Sequence, residues 1–416
     1  MNTKLSTKQW IFVKNLFLTT VLGGIIGILN YLFNIFIARY TTPDIFSVFS
    51  AALGIIYLVQ VPSVAIQSVV TKGIAKNKGA DLDHYKWHSF AIFSVLGILF
   101  STLFFLSRGA IADIANIPTE IVLFLAITMF FGFTSPVGKG VLLGKERIST
   151  VNLILLLETI LKFGMGVVAI SMGGSIPLLI LANSAPAILT TIIILPLVKF
   201  KKENNQKIPI NFKEVVLITL SFLFLSAPFM LSLPLVNPDF RAEFSAISIL
   251  GKLVYFASIM TASVLFARLT NEEEEGSQKR SLMISLILSV STGLIISFIF
   301  FLLSNFIVDI TVGSQYLMIA PYVGGFGLSM TAFAFVYMTG NFFISKEYYN
   351  YLFILILGTV LQILLFIFRN ETLDVVMLNQ SIVYGSTAVF TVIYLIYKLR
   401  KINNGRDTGQ EESEQT

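Results

Sequence analysis

Pro43-Asp44-Ile45-Phe46-Ser47-Val48-Phe49-Ser50-Ala51 and Pro238-Asp239-Phe240-Arg241-Ala242-Glu243-Phe244-Ser245-Ala246 share one frame: Pro-Asp, four residues, then Phe-Ser-Ala. The copies begin 195 residues apart in a chain of 416. In each, Pro and Asp suit a turn and Phe-Ser-Ala opens the apolar stretch behind it. Each stretch is the second in a series of six. The frame therefore divides the chain into two repeats, and six crossings per repeat is an even number. Both repeats must then enter a membrane in the same sense, as in transporters built from parallel repeats.

The apolar stretches themselves leave no room for a soluble fold. Hydrophobic residues make up 55% of the chain, charged residues 12%, and the mean hydropathy is +0.83. Soluble domains carry roughly twice that charge. Runs long enough to cross a hydrocarbon core of about 30 Å recur throughout. They fall near 16–37, 46–70, 89–106, 121–143, 151–172 and 176–197, and then near 215–233, 244–266, 282–307, 317–344, 351–368 and 375–397. Polar and apolar residues do not alternate within them, which excludes a barrel. The expected fold is an all-α polytopic membrane protein with twelve transmembrane helices in two parallel six-helix lobes around a central cavity. Residues 1–203 form the first lobe and 204–416 the second, ending in a short disordered cytoplasmic tail. The charged segment 199–213 is read as the cytoplasmic link between them.

Orientation comes from the cations. Of 29 Lys and Arg, only Arg39, Arg108, Arg241 and Arg369 fall on one face, and Lys162 and Lys252 fall inside spans. The other 23 gather on the face that holds both termini, which places the termini in the cytoplasm and the chain in the cytoplasmic membrane. The net charge of +6 is thereby explained without nucleic acid. The cysteine count is zero, which removes disulfides, thiolate metal sites and thiol nucleophiles. His84 and His88 stand at i,i+4 in a loop without further ligands, so no metal is expected, and no catalytic residue is assigned.

Ionisable groups at membrane depth are the functional candidates, since each costs about 2.5–3.5 kcal/mol on insertion scales. Lys252 lies about 12 Å inside the eighth span, counted from its opening Phe244. Its i±3 and i±4 neighbours, Ser248, Ile249, Tyr255 and Phe256, include no acid, so its partner must come from another helix, water or substrate. It is expected to face the central cavity and handle an anionic headgroup. Glu158 and Lys162 stand at i,i+4 in the order that favours an intrahelical ion pair. Glu158 is the candidate for proton coupling; a sodium ion is the other coupling ion considered, and no cofactor is expected. Arg39 and Arg241 occupy comparable outer positions in the two repeats, either as gate residues against Asp44, Asp239 or Glu243 or as interfacial charges. Asn30 and Asn34 share a face of the first span, suited to sugar hydroxyls or to interhelical bonding. Pro228, inside the seventh span, is the hinge candidate.

Phe36-Ile37-Ala38-Arg39-Tyr40 followed by Pro43-Asp44-Ile45-Phe46-Ser47-Val48-Phe49-Ser50 resembles the pattern that opens polysaccharide-export, Wzx-like oligosaccharide flippases. Gly144-Lys145-Glu146-Arg147 is similar to that family's short basic loop after the fourth span, and Glu243-Phe244-Ser245-Ala246 to its second-lobe segment. Thr41-Thr42 and Ser47 depart from the pattern. The resemblance extends to the superfamily that includes multidrug and toxin extrusion pumps and lipid II flippases. It implies a monomeric flippase that moves a lipid-diphosphate-linked oligosaccharide to the outer leaflet by alternating access. Its partners would be membrane lipids and the enzymes of polysaccharide assembly. A multidrug or lipid II exporter is the alternative. A membrane-embedded glycan polymerase or glycosyltransferase fits less well, because the longest outer loop, 107–120, is short.

Overall fold

The computed structural model describes residues 7–77, 82–198, 210–269, 275–346 and 348–413. Among them twelve helices, or helix pairs, are long and apolar enough to cross a membrane, and there is no strand. The protein is a multi-pass membrane protein. Most of the link 199–213 and the run Glu272-Glu273-Glu274 lie outside the described residues.

In chain order the helices are α1 (Thr7–Tyr40), α2 (Pro43–Val59), α3 (Val61–Lys76), α4 (Asp83–Leu106), α5 (Arg108–Ala115), α6 (Thr119–Gly144), α7 (Ile148–Ser171) and α8 (Ile176–Val198). There follow α9 (Phe212–Met230), α10 (Ser232–Leu235), α11 (Arg241–Leu269), α12 (Glu275–Leu302), α13 (Ser304–Ile310), α14 (Ala320–Ser345), α15 (Leu352–Phe368) and α16 (Leu373–Ser413). Two outcomes differ from the sequence expectations. The second span is broken at Gln60, because Pro62 has no N–H for the Leu58 carbonyl. The ninth span stops at Leu302, and Ser304–Ile310 is a separate short helix. The last helix, α16, carries no proline after Leu373 and runs from Leu373 to Ser413.

The chain forms two compact units, Met1–Phe222 with Leu233–Ala242, and Leu223–Ser232 with Glu243–Thr416. This division falls inside α9, and packing gives the reason. Ile218 at the start of α9 joins Ala65 and Val69 of α3, with Val215 packed against them. Lys72 of α3 also pairs with Glu214 of α9. Past Leu223 the same helix packs in the second unit, where Phe229 stacks on Phe333 at 5.8 Å between centroids.

The same pairings recur inside each unit. In the first, α4 packs on α6, α6 on α8 and α7 on α8; in the second, α12 packs on α14, α14 on α16 and α15 on α16. These are the third-fourth, fourth-sixth and fifth-sixth spans of each repeat. The Pro-Asp frame thus marks a structural repeat.

Small residues bring α3 and α6 together, as expected where lipid supplies no hydrophobic drive between helices. A Cβ on Gly140 would lie 2.9 Å from the Gln67 carbonyl. That closeness lets the Ser63 hydroxyl donate to the Gly132 carbonyl at 2.6 Å and Thr71 to the Gly140 carbonyl at 3.2 Å. Ile66, Val70, Phe93, Val137 and Ile194 fill the core behind this contact.

Candidate functional site

Five helices of the first unit bring polar side chains into two neighbouring groups at membrane depth. The Glu158 carboxylate on α7 accepts from the Lys139 ammonium on α6 at 2.9 Å and from the Thr190 hydroxyl on α8 at 3.2 Å. The two charged side chains are 12% and 23% exposed, so the pair is largely withdrawn from its surroundings. Glu158 therefore pairs across helices, with Lys139. One turn along α7, the Lys162 ammonium donates to Asn30 Oδ1 at 3.2 Å and lies 4.6 Å from the Phe33 ring centroid. The Asn30 amide reaches the Thr159 hydroxyl at 3.4 Å and its own helix's Ile26 carbonyl at 3.0 Å. Asn34 donates to the Asn30 carbonyl at 2.8 Å, and its side chain hydrogen-bonds Tyr57 on α2.

Asn30, Asn34, Glu158 and Lys162 are therefore brought together, as two neighbouring groups. Lys139, Thr190, Thr159 and Tyr57 are members that sequence reasoning did not single out. Lys139 was counted with the cytoplasmic cations, yet it lies inside α6, which continues to Gly144. Its position inside the expected fourth span was the available signal.

In the second unit Lys252 is 6% exposed and its ammonium lies 5.3 Å from the Phe229 ring centroid. Phe229 in turn stacks on Tyr255, one turn from Lys252, at 6.1 Å, and Phe333 stacks on Tyr384 at 4.8 Å. Another helix does face the lysine, and it offers an aromatic quadrupole. Such a contact contributes about 2 kcal/mol when desolvated. With 38 Phe in the chain, no sequence pattern distinguished Phe229.

Pro228 sits in the second-unit part of α9. Its ring leaves the Phe224 carbonyl without the usual N–H, and the Thr359 hydroxyl on α15 approaches that carbonyl at 3.5 Å. The Pro228 carbonyl accepts from Gln380 on α16 at 3.3 Å, and Gln380 accepts from Gln362 at 3.2 Å. The proline region is bound into its own unit by buried amides.

Arg241 is 1% exposed, with its guanidinium spread over backbone carbonyls. It donates to Ala115 O at 2.8 Å, to Val236 O at 3.0 Å from Nε and 2.8 Å from Nη2, and to Pro234 O at 3.3 Å. These acceptors lie at the end of α5, in α10 and just after α10. Arg39, at the end of α1, is exposed.

A separate basic cluster lies where α4, α8 and the α6–α7 turn meet. Lys86 pairs with Asp83 and reaches the Val198 carbonyl at 3.5 Å. Burial, and then neighbouring Lys86 and Arg147, hold the Lys145 ammonium below the usual lysine range.

No family model matches the chain, and no curated protein matches its sequence. Solved structures do. An inward-facing multidrug resistance MATE family transporter of the MOP superfamily shares 15% identity, covering 91% of this chain and 96% of its own, with a TM-score of 0.71. Lipid II flippase MurJ in an inward closed conformation shares 13%, covering 91% and 87%, at 0.75. A MATE structure in the straight conformation shares 13%, covering 94% and 96%, at 0.62. At these identities the likeness is one of fold, two lobes of six helices each.

Proposed function

We propose that this chain is a flippase that moves a lipid-diphosphate-linked oligosaccharide across the cytoplasmic membrane by alternating access, for cell-surface polysaccharide synthesis. The carrying observation is the sign of the charge held at membrane depth. The first unit's polar groups include Lys139 and Lys162 against Glu158, and the second unit adds Lys252 beside Phe229. An excess of ammonium groups favours an anionic headgroup over a cationic drug. Asn30, Thr159 and Thr190 supply the donors and acceptors that sugar hydroxyls need. The fold shared with a lipid II flippase supports a lipid-linked cargo.

In this reading Lys252 and the Lys162–Asn30 group each offer a cationic contact to the headgroup during its passage, Arg39 serves the outer face, and Glu158 is the group that exchanges a proton during the cycle. The chain breaks no covalent bond of its cargo. Both termini are cytoplasmic, so Asn204→Cys should resist an impermeant maleimide in intact cells. The function is tested in vesicles holding the purified chain and a fluorescent polyprenyl-diphosphate oligosaccharide, whose access to an external quencher reports flipping. Flipping without efflux of a cationic dye is the expected outcome. Dye efflux without flipping would replace this reading with that of a multidrug exporter.

A further inference from the structure

Two short helices outside the spans match each other more closely than the sequence frame foretold. Ile111-Ala112-Asp113-Ile114 in α5 and Ile307-Val308-Asp309-Ile310 in α13 are 196 residues apart. Each helix follows the third span of its own repeat, between that span and the fourth. Each is closed by the same backbone bond: Ile117 N–H donates to Ala112 O at 3.1 Å, and Gly313 N–H to Val308 O at 3.0 Å. The turns behind the bond differ: in α5 Asn116, the residue before the donor, is left-handed at φ 48°, whereas in α13 the donor Gly313 itself has φ 105°. The pattern of burial is nevertheless shared. Ala112 and Val308 are buried, while Asp113, Ile114, Asp309 and Ile310 are exposed.

We propose that α5 and α13 are a matched pair of interfacial anchors, with Ile114, Phe306 and Ile310 seated in the lipid headgroup–acyl boundary. Exposure of these three is 66%, 61% and 53%. A helix of this length reaches only about 12 Å and cannot span the bilayer. Full immersion in hydrocarbon would desolvate Asp113 and Asp309, at about 2.5–3.5 kcal/mol each near mid-membrane. Placement in water would leave Phe306 and Ile310 solvated. The boundary satisfies both groups, because a carboxylate can reach headgroups while its neighbouring isoleucine enters the chains.

The apolar surface is also continuous with the lipid-facing rows of the spans. Leu99, Leu103 and Leu106 are exposed along α4 up to α5, and Phe298, Leu302 and Leu303 lead from α12 to α13. Lipid is the occupant that fits both helices. Their apolar sets differ, one large exposed side chain on α5 against two on α13, and a protein partner would have to match each separately. A bilayer needs only apolarity at the right depth. Arg241 holds the end of α5 to its own unit through the Ala115 carbonyl, so the anchor's depth is transmitted to the spans.

The test uses the full chain reconstituted in phosphatidylcholine vesicles, where the absence of native cysteine lets single nitroxide labels be placed directly. Labels go on Ile114→Cys, Phe306→Cys and Ile310→Cys, with Ile295→Cys in mid-α12 as the deep reference. Expected is a ratio of oxygen to nickel-chelate collisions above one at all three, yet below that of the reference. A ratio below one would place the helices in water and overturn the proposal. So would low collision rates with both reagents, which would mean cover by protein, including a second copy. Labels on α13 in lipid with the α5 label in water would overturn the matched pair. Phe306 and Ile310 report on one helix independently, so the loss of one variant leaves the test intact.

Discussion

Arg241→Met removes every donor that the guanidinium offers while keeping an unbranched apolar stem in place. Three carbonyls, Ala115, Val236 and Pro234, then lose a charged donor at 2.8–3.3 Å. A buried group left unsatisfied costs about 1–3 kcal/mol. Three such acceptors, relieved in part by water entering the turn, give a destabilisation of about 3–6 kcal/mol, or a fall in melting temperature on the order of 10 °C. Arg241→Lys should fall between, because one ammonium cannot reproduce the planar fork that reaches three carbonyls. The assay is thermal unfolding of the detergent-solubilised protein, followed by size-exclusion and tyrosine fluorescence, with transport per folded molecule measured beside it. The structure predicts a large stability loss in Arg241→Met and near-normal transport by the Arg241→Lys molecules that remain folded. A gate residue would do the reverse. Unchanged melting with lost transport would refute the structural role argued for Arg241.

Lys252→Ala should slow flipping on the order of tenfold, equivalent to about 1.4 kcal/mol, with little change in protein level, while Lys252→Arg keeps most of the rate; equal rates in Lys252→Ala and wild type would take Lys252 out of the site. Glu158→Gln still accepts the Lys139 hydrogen bond but leaves that ammonium without a counter-charge, and should cost about 3 kcal/mol of stability. It should flatten the pH dependence of transport, and an unaltered profile would show that Glu158 carries no proton. For Lys145 the folded state disfavours the charged form, through burial first and Lys86 and Arg147 next. Stability should therefore rise as pH climbs through its lowered pKa toward the ordinary 10.5. Lys145→Gln should melt higher than wild type at neutral pH, with the gain vanishing once wild-type Lys145 has itself deprotonated; a lower melting point at neutral pH would contradict this.

Most of the architecture was readable from local chemistry. The length of an apolar run is compared directly with the thickness of a bilayer, so twelve spans follow from sequence with ends displaced by only a few residues. The Pro-Asp frame located the repeat because a turn and a helix start depend on adjacent residues. What local reasoning misread were features with a competing local answer. The apolar run 282–307 looked continuous, since its length and hydropathy outweigh the single polar pair, Ser304-Asn305, beside the turn at Leu303 that separates α12 from α13. The packing of Ile218 on α3, which carries the first unit into α9, depends on contacts between distant residues that no local pattern marks.

The partners of the buried charges were decided by tertiary structure alone. An i,i+4 pair such as Glu158 and Lys162 is worth only about 0.2–0.5 kcal/mol. Where low-dielectric surroundings strengthen every polar contact, that preference yields to whichever groups neighbouring helices present. The rotation of α6 and α8 about their axes brings Lys139 and Thr190 to Glu158, and α1 brings Asn30 to Lys162. For Arg241 the sequence determined that a cation stands at the start of the eighth span. Only the folding of α5 and the α10 segment around it determined that its charge meets carbonyl dipoles. Sequence determines where a charge enters the membrane, because that depends on distance along one helix. Tertiary structure determines what it meets there, because that depends on the rotation and approach of the others.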